Sequence, residues 1–156
     1  MPDQFLDSNV YSYGMEQQLI QAYQLAQYVV RIGHIAYHFK VNQNSEVLAK
    51  LLKLYQTQHA IFITAFNPAS QQLPLDINLQ QHQLLKAKLQ QQLWSFLPGY
   101  GGCENNLWPK ELSWLVFGVE RQQAYQLAYS FKQNAFLWIT QDQPVKLLVY
   151  NQSSVK

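Results

Sequence analysis

Hydrophobic positions in this chain form short runs and periodic stripes, and the most informative stretch, residues 61–70, begins with an apolar run of strand length. An apolar run of this length is typical of a β-strand that is covered on both faces. The run ends in a segment that contains Thr64, Asn67, Pro68 and Ser70. Because ligand sites of open α/β sheets usually lie at the carboxyl ends of strands, we expect any site to include this segment.

Other segments have apolar residues at helical spacing. The spacing predicts amphipathic helices over residues 15–26, over the segment that follows Ser45, and over residues 78–94 and 120–133. Ser45 is a suitable N-cap for the second helix, and Glu120 suits the positive start of the fourth. About four helices are therefore expected.

The remaining apolar segments have the length and composition of strands. Residues 28–32 and 35–41 flank Gly33–His34, and glycine in the first position of a two-residue loop favours a type II′ hairpin turn. Residues 98–102 predict a glycine-rich turn, and residues 103–112 a further loop. The other predicted strands are residues 60–66, 95–97, 113–119, 135–140 and 145–150.

This alternation of helices and strands predicts an α/β (α+β) fold: a single compact domain in which a mixed β-sheet is covered by about four helices. The domain is expected over residues 14–150. Residues 1–13 are predicted to be a flexible leader and residues 151–156 a flexible tail.

Composition supports one packed core. The chain of 156 residues is 48% hydrophobic and only 13% charged, and 24 glutamines take the place of the missing charges. Glutamine-rich segments are often disordered. Here the glutamines alternate with leucine at helical spacing, so we interpret them as uncharged faces turned toward solvent.

Charge and cysteine content exclude several classes of protein. A net charge of +2, with Arg31 and Arg121 as the two arginines, argues against nucleic-acid binding, which relies on clustered positive charge. Cys103 is the sole cysteine, so no internal disulfide can form and a reducing compartment is favoured. No signal-like core follows the start, and no run approaches the ~18 apolar residues that span a bilayer. We therefore expect a cytoplasmic protein without a membrane segment.

Three familiar kinds of site find little support. His34 and His38 would lie about 13 Å apart along a strand, too far to share a zinc ion, and no metal or cofactor is implied. Cys103 precedes Glu104, whose charge disfavours a reactive thiolate. Residues 98–102 have no Gly-Lys-Ser/Thr after them and so are not a phosphate loop, which leaves either an anion-binding backbone nest or a plain tight turn.

Polar residues near predicted strand ends form the best candidate site. Asn67 and Thr140 would share one rim of the sheet if the strands from residues 60 and 135 run parallel. Glu111 is the only carboxylate near this rim, so it is the candidate general base or cation partner. The alternative is structural: Asn67 and Ser70 also suit a turn, and Asn134 could end a helix in a left-handed conformation.

Most aromatic residues fall in apolar strands or on apolar helix faces, where core packing explains them. Trp108 is the exception, because it lies in a polar loop and could cover a pocket. The candidate ligand-binding residues are Thr64, Asn67, Ser70, Gly99, Gly101, Trp108, Glu111, Ser113 and Asn134.

Several segments, taken in order, resemble one protein family. They are TAFNPAS (64–70) followed by Asn78, PGYG (98–101), WPKELSWLVFG (108–118) and FKQNAFLW (131–138). The chain from about residue 28 to 140 resembles the bacterial family catalogued as domain of unknown function 3293. The matching positions are Thr64, Asn67, Pro68, Ser70, Asn78, Pro98, Gly99, Gly101, Trp108, Glu111, Ser113, Phe131, Gln133 and Asn134. The resemblance implies a small soluble bacterial protein, and it implies no activity, substrate or cofactor. Cys103 lies outside the pattern, as do the glutamines of the third helix.

Two functions stay open at this point. The first is binding of a polar small molecule or anion at the rim of the sheet, with Asn67, Ser70 and Glu111 as polar contacts, the backbone of residues 99–102 close to the ligand and Trp108 as a cover. The second is a protein–protein interaction or homo-oligomerisation module without a catalytic site. The sequence does not decide whether the domain is an enzyme.

Overall fold

A computed structural model describes residues 5–9, 17–102 and 110–150. The helices are α1 (Gln17–Leu25), α2 (Glu46–Leu54), α3 (Leu75–Gln91) and α4 (Arg121–Ser130). The strands are β1 (Phe5–Asp7), β2 (Gln27–Ile32), β3 (Ile35–Phe39), β4 (His59–Thr64), β5 (Phe96–Gly102), β6 (Glu111–Phe117), β7 (Ala135–Thr140) and β8 (Lys146–Tyr150). A short 3₁₀ turn, Pro68–Ser70, follows β4.

All eight described strands form one sheet in the order β1-β8-β7-β4-β6-β5-β2-β3. The predicted α/β fold with one sheet and about four helices is confirmed. Each described pairing is antiparallel, so the sheet does not contain the parallel pairs that a mixed sheet would have. A strand that is apolar on both faces is common in parallel sheets, but an antiparallel sheet with helices on both faces produces the same pattern.

Helices cover both faces of the sheet. Along β4, Ala60 and Phe62 point to the face that packs against α1 and α2, whereas Ile61 and Ile63 point to the face that packs against α3 and α4. All four side chains are buried. The prediction that the run at residues 60–66 is covered on both sides is therefore confirmed, and β4 lies in the middle of the core.

Local sequence signals produce the predicted turn and cap. Gly33 has φ +62° in the loop between β2 and β3, where Ile32 pairs with Ile35, as a hairpin with a two-residue loop requires. Ser45 precedes α2, and its hydroxyl oxygen accepts a hydrogen bond of 3.3 Å from the N–H of Leu48. The cap satisfies a backbone donor that would otherwise have no partner within the helix.

The glycine-rich turn predicted at residues 98–102 is wrong, because these residues belong to β5 between β2 and β6. A Cβ atom on Gly99 would overlap the carbonyl oxygen of Val29 and lie 2.8 Å from the ring of Phe62. Glycine is thus required there for close packing of strands and ring. Pro98 pairs with Trp114 of β6, at a position beyond the ladder with β2, where its missing N–H breaks no bond between β5 and β2.

The start of the chain also differs from the prediction. Phe5–Asp7, assigned above to a flexible leader, forms the edge strand β1 and pairs with β8 from Phe5↔Tyr150 to Asp7↔Leu148. The ring of Phe5 is buried against Phe136 at a centroid distance of 5.1 Å. Composition alone does not reveal this strand, because it depends on pairing with the distant β8.

Candidate functional site

A cavity of about 60 Å³ lies between α1 and the sheet. Its apolar walls come from α1 and from strands on both sides of β4 and include Leu19, Phe62 and Leu147. Among the described residues its polar lining includes Tyr23, Thr64, Glu111 and Ser113, beside the backbone of Gly101 and Gly102. The volume corresponds to about four or five water molecules, so the cavity suits a small chemical group.

Sheet register brings the polar lining residues together. Thr64 at the end of β4 pairs with Ser113 of β6, and Glu111 of β6 pairs with Gly101 of β5. Residues two apart in a strand share a face. Ser113 and Glu111 therefore both point to the α1 face, as Phe62 and Thr64 do on the neighbouring strand. Gly101 and Gly102 of β5 contribute their backbone to the same lining.

Two of the hydroxyl groups in the cavity lining, those of Thr64 and Ser113, donate their hydrogens to the protein itself. Thr64 Oγ1 donates to the carbonyl of Leu112 at 2.7 Å and accepts a bond of 3.0 Å from the N–H of Phe66. Ser113 Oγ donates to the carbonyl of Glu111 at 3.0 Å. Both oxygens therefore lie at the cavity mainly as hydrogen-bond acceptors.

A buried amide network holds the Glu111 side chain. Asn67 Nδ2 donates to Glu111 Oε2 at 2.8 Å, and Asn78 Nδ2 donates to Asn67 Oδ1 at 2.8 Å. The N–H of Asn67 donates to Asn78 Oδ1 at 2.8 Å, and Asn67 Oδ1 also accepts from the N–H of Leu73 at 3.0 Å. Asn67 and Asn78 are 7% and 4% exposed, so this network is shielded from water and fixes the orientation of the carboxylate.

The segment after β4 adopts an unusual backbone. Asn67, Ala69 and Ser70 have φ angles of 49°, 57° and 59°, in the left-handed region that non-glycine residues seldom occupy. The N–H of Ala69 donates to the carbonyl of Lys132 at 2.7 Å, which ties the segment to the end of α4. This conformation directs the Asn67 side chain toward Glu111 and that of Ser70 toward α1.

A second polar group joins this segment to α1. Asn134 Nδ2 donates to Ser70 Oγ at 2.8 Å, and Ser70 Oγ lies 3.2 Å from the hydroxyl of Tyr23. Burial raises the pKa of Tyr23 to about 12, the hydrogen bond with Ser70 lowers it in part, and the charge of Glu111 raises it further. Tyr23 is therefore a neutral phenol at physiological pH.

The predicted residues separate into four groups. Those that line the cavity are Thr64, Gly101, Glu111 and Ser113. Asn67 is hydrogen-bonded to the lining residue Glu111, and Ser70 to the lining residue Tyr23. Asn134 is hydrogen-bonded to Ser70. Gly99 packs between β2 and Phe62 and is not part of the lining. Trp108 lies outside the described residues.

Three further expectations about the site are corrected. Thr140 pairs with His59 at the opposite end of β4 from Asn67, because β4 and β7 are antiparallel. The left-handed residue after α4 is Lys132, with φ 54°, and not Asn134. Residues 99–102 form ladders with β2 and β6, so their backbone N–H groups do not converge as an anion nest.

Sequence reasoning missed Tyr23 and Asn78 as site residues. Tyr23 was assigned to the apolar stripe of the first helix, although its position on that stripe does direct it to the sheet. Asn78 was taken as the first residue of the third helix, but it is one turn inside α3 and faces the core. Polar residues on an otherwise apolar helix face were the signal that could have identified both.

Metal coordination is not evident in the described part of the chain. No three His, Cys, Asp or Glu side chains gather there in positions to hold an ion. His34 lies in the hairpin loop and His38 in β3. Nor does any helix among the described residues have the length and hydrophobicity needed to cross a bilayer.

Residues 63–136 match the model of a family described as Protein of unknown function (DUF3293). The matched segment begins in β4 and ends in β7, and it contains Asn67, Asn78 and Glu111. The match supports the resemblance seen in the sequence over this part of the chain. No curated protein and no solved structure matches the chain.

Proposed function

We propose that this domain binds a small polar molecule in the cavity beneath α1. The observation that carries the proposal is that Glu111, Thr64 and Ser113 line the same cavity as Tyr23. These residues come from two strands and a helix, and the ligand's polar end would lie against them. Its apolar part would contact Leu19 and the side chains opposite.

The amide network behind Glu111 supports binding over simple turn formation. A buried carboxamide pair is costly unless each donor and acceptor is satisfied. A turn needs only one such residue to end a strand, yet here Asn67 is hydrogen-bonded both to Asn78 and to Glu111. The arrangement fixes a carboxylate at the wall of a cavity, as a preorganised binding site requires.

Charge favours a neutral or cationic ligand over the anion also considered from the sequence. Glu111 is the acidic residue of the described lining, which contains no lysine, arginine or histidine. An anion would therefore meet a carboxylate of like charge in surroundings of low dielectric. We further propose a bacterial protein of the cytoplasm, on the basis of the family resemblance and of the single cysteine.

A ligand screen with an occluded variant tests this proposal. Ala22 lines the cavity, so Ala22→Leu should fill it, whereas Gln21→Leu adds an apolar side chain on the exposed side of α1. A small polar metabolite at 100 times its dissociation constant should raise the stability of the wild type by about 2.7 kcal/mol in a thermal-shift assay.

The shift should persist in Gln21→Leu and disappear in Ala22→Leu. An equal shift in both variants would place binding elsewhere. The absence of a shift with any compound of a broad metabolite screen would contradict the proposal.

A second candidate function, self-association, is supported by the outer surface of α3. Leu75 and Leu84 are 64% and 57% exposed, and an open groove that includes Leu84 and Gln126 runs between α3 and α4. Sedimentation equilibrium should then give a mass above that of one chain, and Leu84→Gln should lower it. A monomer at high concentration would exclude this function.

A further inference from the structure

We propose that the group recognised in this cavity is a primary ammonium ion on a short aliphatic chain. This inference rests on the function proposed above and names the chemical class of its ligand. It follows from three properties of the lining: the direction of its hydrogen bonds, the sign of its charge and its volume.

Hydrogen-bond direction at Thr64 and Ser113 favours a ligand that donates. The hydroxyl hydrogens of Thr64 and Ser113 are used in bonds to the carbonyls of Leu112 and Glu111. Each hydroxyl oxygen has two acceptor lone pairs, and the Thr64 oxygen uses one of them for the N–H of Phe66. Acceptor capacity therefore remains at both oxygens, whereas donor capacity does not.

The Glu111 carboxylate adds negative charge to the lining. Its Oε2 atom accepts a hydrogen bond from Asn67, and Glu111 takes part in at least one further interaction, so what it offers a ligand is its charge and its place at the cavity. An ammonium ion carries three donors and a positive charge, which match one carboxylate and two hydroxyl acceptors. An alcohol has a single donor and no charge. A carboxylic acid is a carboxylate anion at neutral pH, and its negative charge would be repelled by Glu111.

Size and wall chemistry limit the rest of the ligand. A cavity of about 60 Å³ accepts roughly four or five non-hydrogen atoms. Leu19, Phe62 and Leu147 make the walls away from Glu111 apolar. An unbranched chain of about four carbons would fill this space and place its nitrogen at the polar end.

Three probes of equal length test the inference: n-butylammonium, n-butanol and butyrate. Titrations of the full chain at pH 7, followed by ¹H–¹⁵N NMR, should give at least tenfold tighter binding of n-butylammonium than of n-butanol, and no binding of butyrate. Glu111→Gln should remove this preference, because it keeps the shape of the side chain and removes the charge. Asp142→Asn, which removes an exposed charge distant in sequence, should preserve it.

Butyrate or n-butanol binding as tightly as n-butylammonium in the cavity would overturn the ammonium inference and leave the proposed small-molecule site intact. Binding of none of the three would also overturn it, and the metabolite screen with Ala22→Leu would then decide the proposed function separately. Because the comparison of the three probes uses the wild type, it holds even if Glu111→Gln fails to fold.

Discussion

At the scale of single residues, the Asn67–Asn78 pair best shows how a buried polar contact organises this molecule. Asn78 provides the acceptor for the N–H of Asn67, and Asn67 in turn donates to Glu111. The two asparagines thus join the end of β4 to α3 and to the start of β6. Loss of either one would disturb all three elements.

Removal of the Asn78 side chain should therefore be costly. In Asn78→Ala the buried N–H of Asn67 has lost its acceptor, so we expect a decrease of about 1–3 kcal/mol in the free energy of unfolding. Urea denaturation measures this change. Gln80→Ala, on the exposed side of α3, should stay within about 0.5 kcal/mol of the wild type. Equal stability of the two variants would show that the amide network contributes nothing.

Tyr23 gives a prediction at high pH. Because its pKa is raised from 10.0 to about 12 in the folded protein, the folded state resists ionisation of this phenol. Its contribution to stability is fully present below pH 10 and is lost as pH rises toward 12. Urea unfolding across this range should show a smaller loss for Tyr23→Phe than for the wild type. Tyr129→Phe, at a residue that is 56% exposed, should follow the wild type. Identical pH dependence in all three proteins would contradict burial of Tyr23.

At the scale of elements, β5 is the most instructive, because its composition indicates a turn and its position is in the interior of the sheet. Gly99 makes this possible by admitting the carbonyl of Val29 and the ring of Phe62. Gly101, by contrast, faces the ring of Tyr28, whose nearest atoms would lie 3.0 Å from an added Cβ. The two glycines therefore differ in how closely other atoms approach them.

That difference is measurable. Gly99→Ala forces the backbone of β2 or the ring of Phe62 to move, and should lower the free energy of unfolding by about 1–3 kcal/mol. Gly101→Ala should cost less, because the nearest atoms to its added Cβ lie at 3.0 Å and belong to a side chain, whereas an added Cβ at Gly99 would overlap a backbone oxygen. Urea denaturation of both variants compares them directly. A greater loss in Gly101→Ala would mean that the close contact of β2 and β5 does not determine the need for glycine.

At the scale of the whole molecule, local sequence patterns predicted helices and strands, whereas the pairing of distant strands determined the sheet topology and the arrangement of the site. The apolar run at residues 60–66 and the cap at Ser45 were predictable because each depends on neighbours in the sequence. The antiparallel direction of β4 and β7 was not, since it depends on how distant strands align. Periodicity placed Tyr23 on the correct face of α1, but it could not reveal that Ser70 and Glu111 would lie near it.

In the candidate site too, some features were predictable from local sequence and others depend on the pairing of distant strands. The polar end of β4 was predictable as a site location because strand ends commonly carry ligand sites. The proximity of Asn67 and Glu111, 44 residues apart, follows from the pairing of β4 with β6. Gly99 was wrongly grouped with the lining because a turn would have exposed the backbone that β5 uses for pairing.

The most direct test of the cavity as a binding site is an NMR measurement of intermolecular nuclear Overhauser effects with n-butylammonium chloride. The account predicts contacts from the butyl protons to Leu19, Phe62 and Leu147, and their loss in Ala22→Leu. Contacts to other parts of the surface, or contacts unchanged by Ala22→Leu, would contradict it.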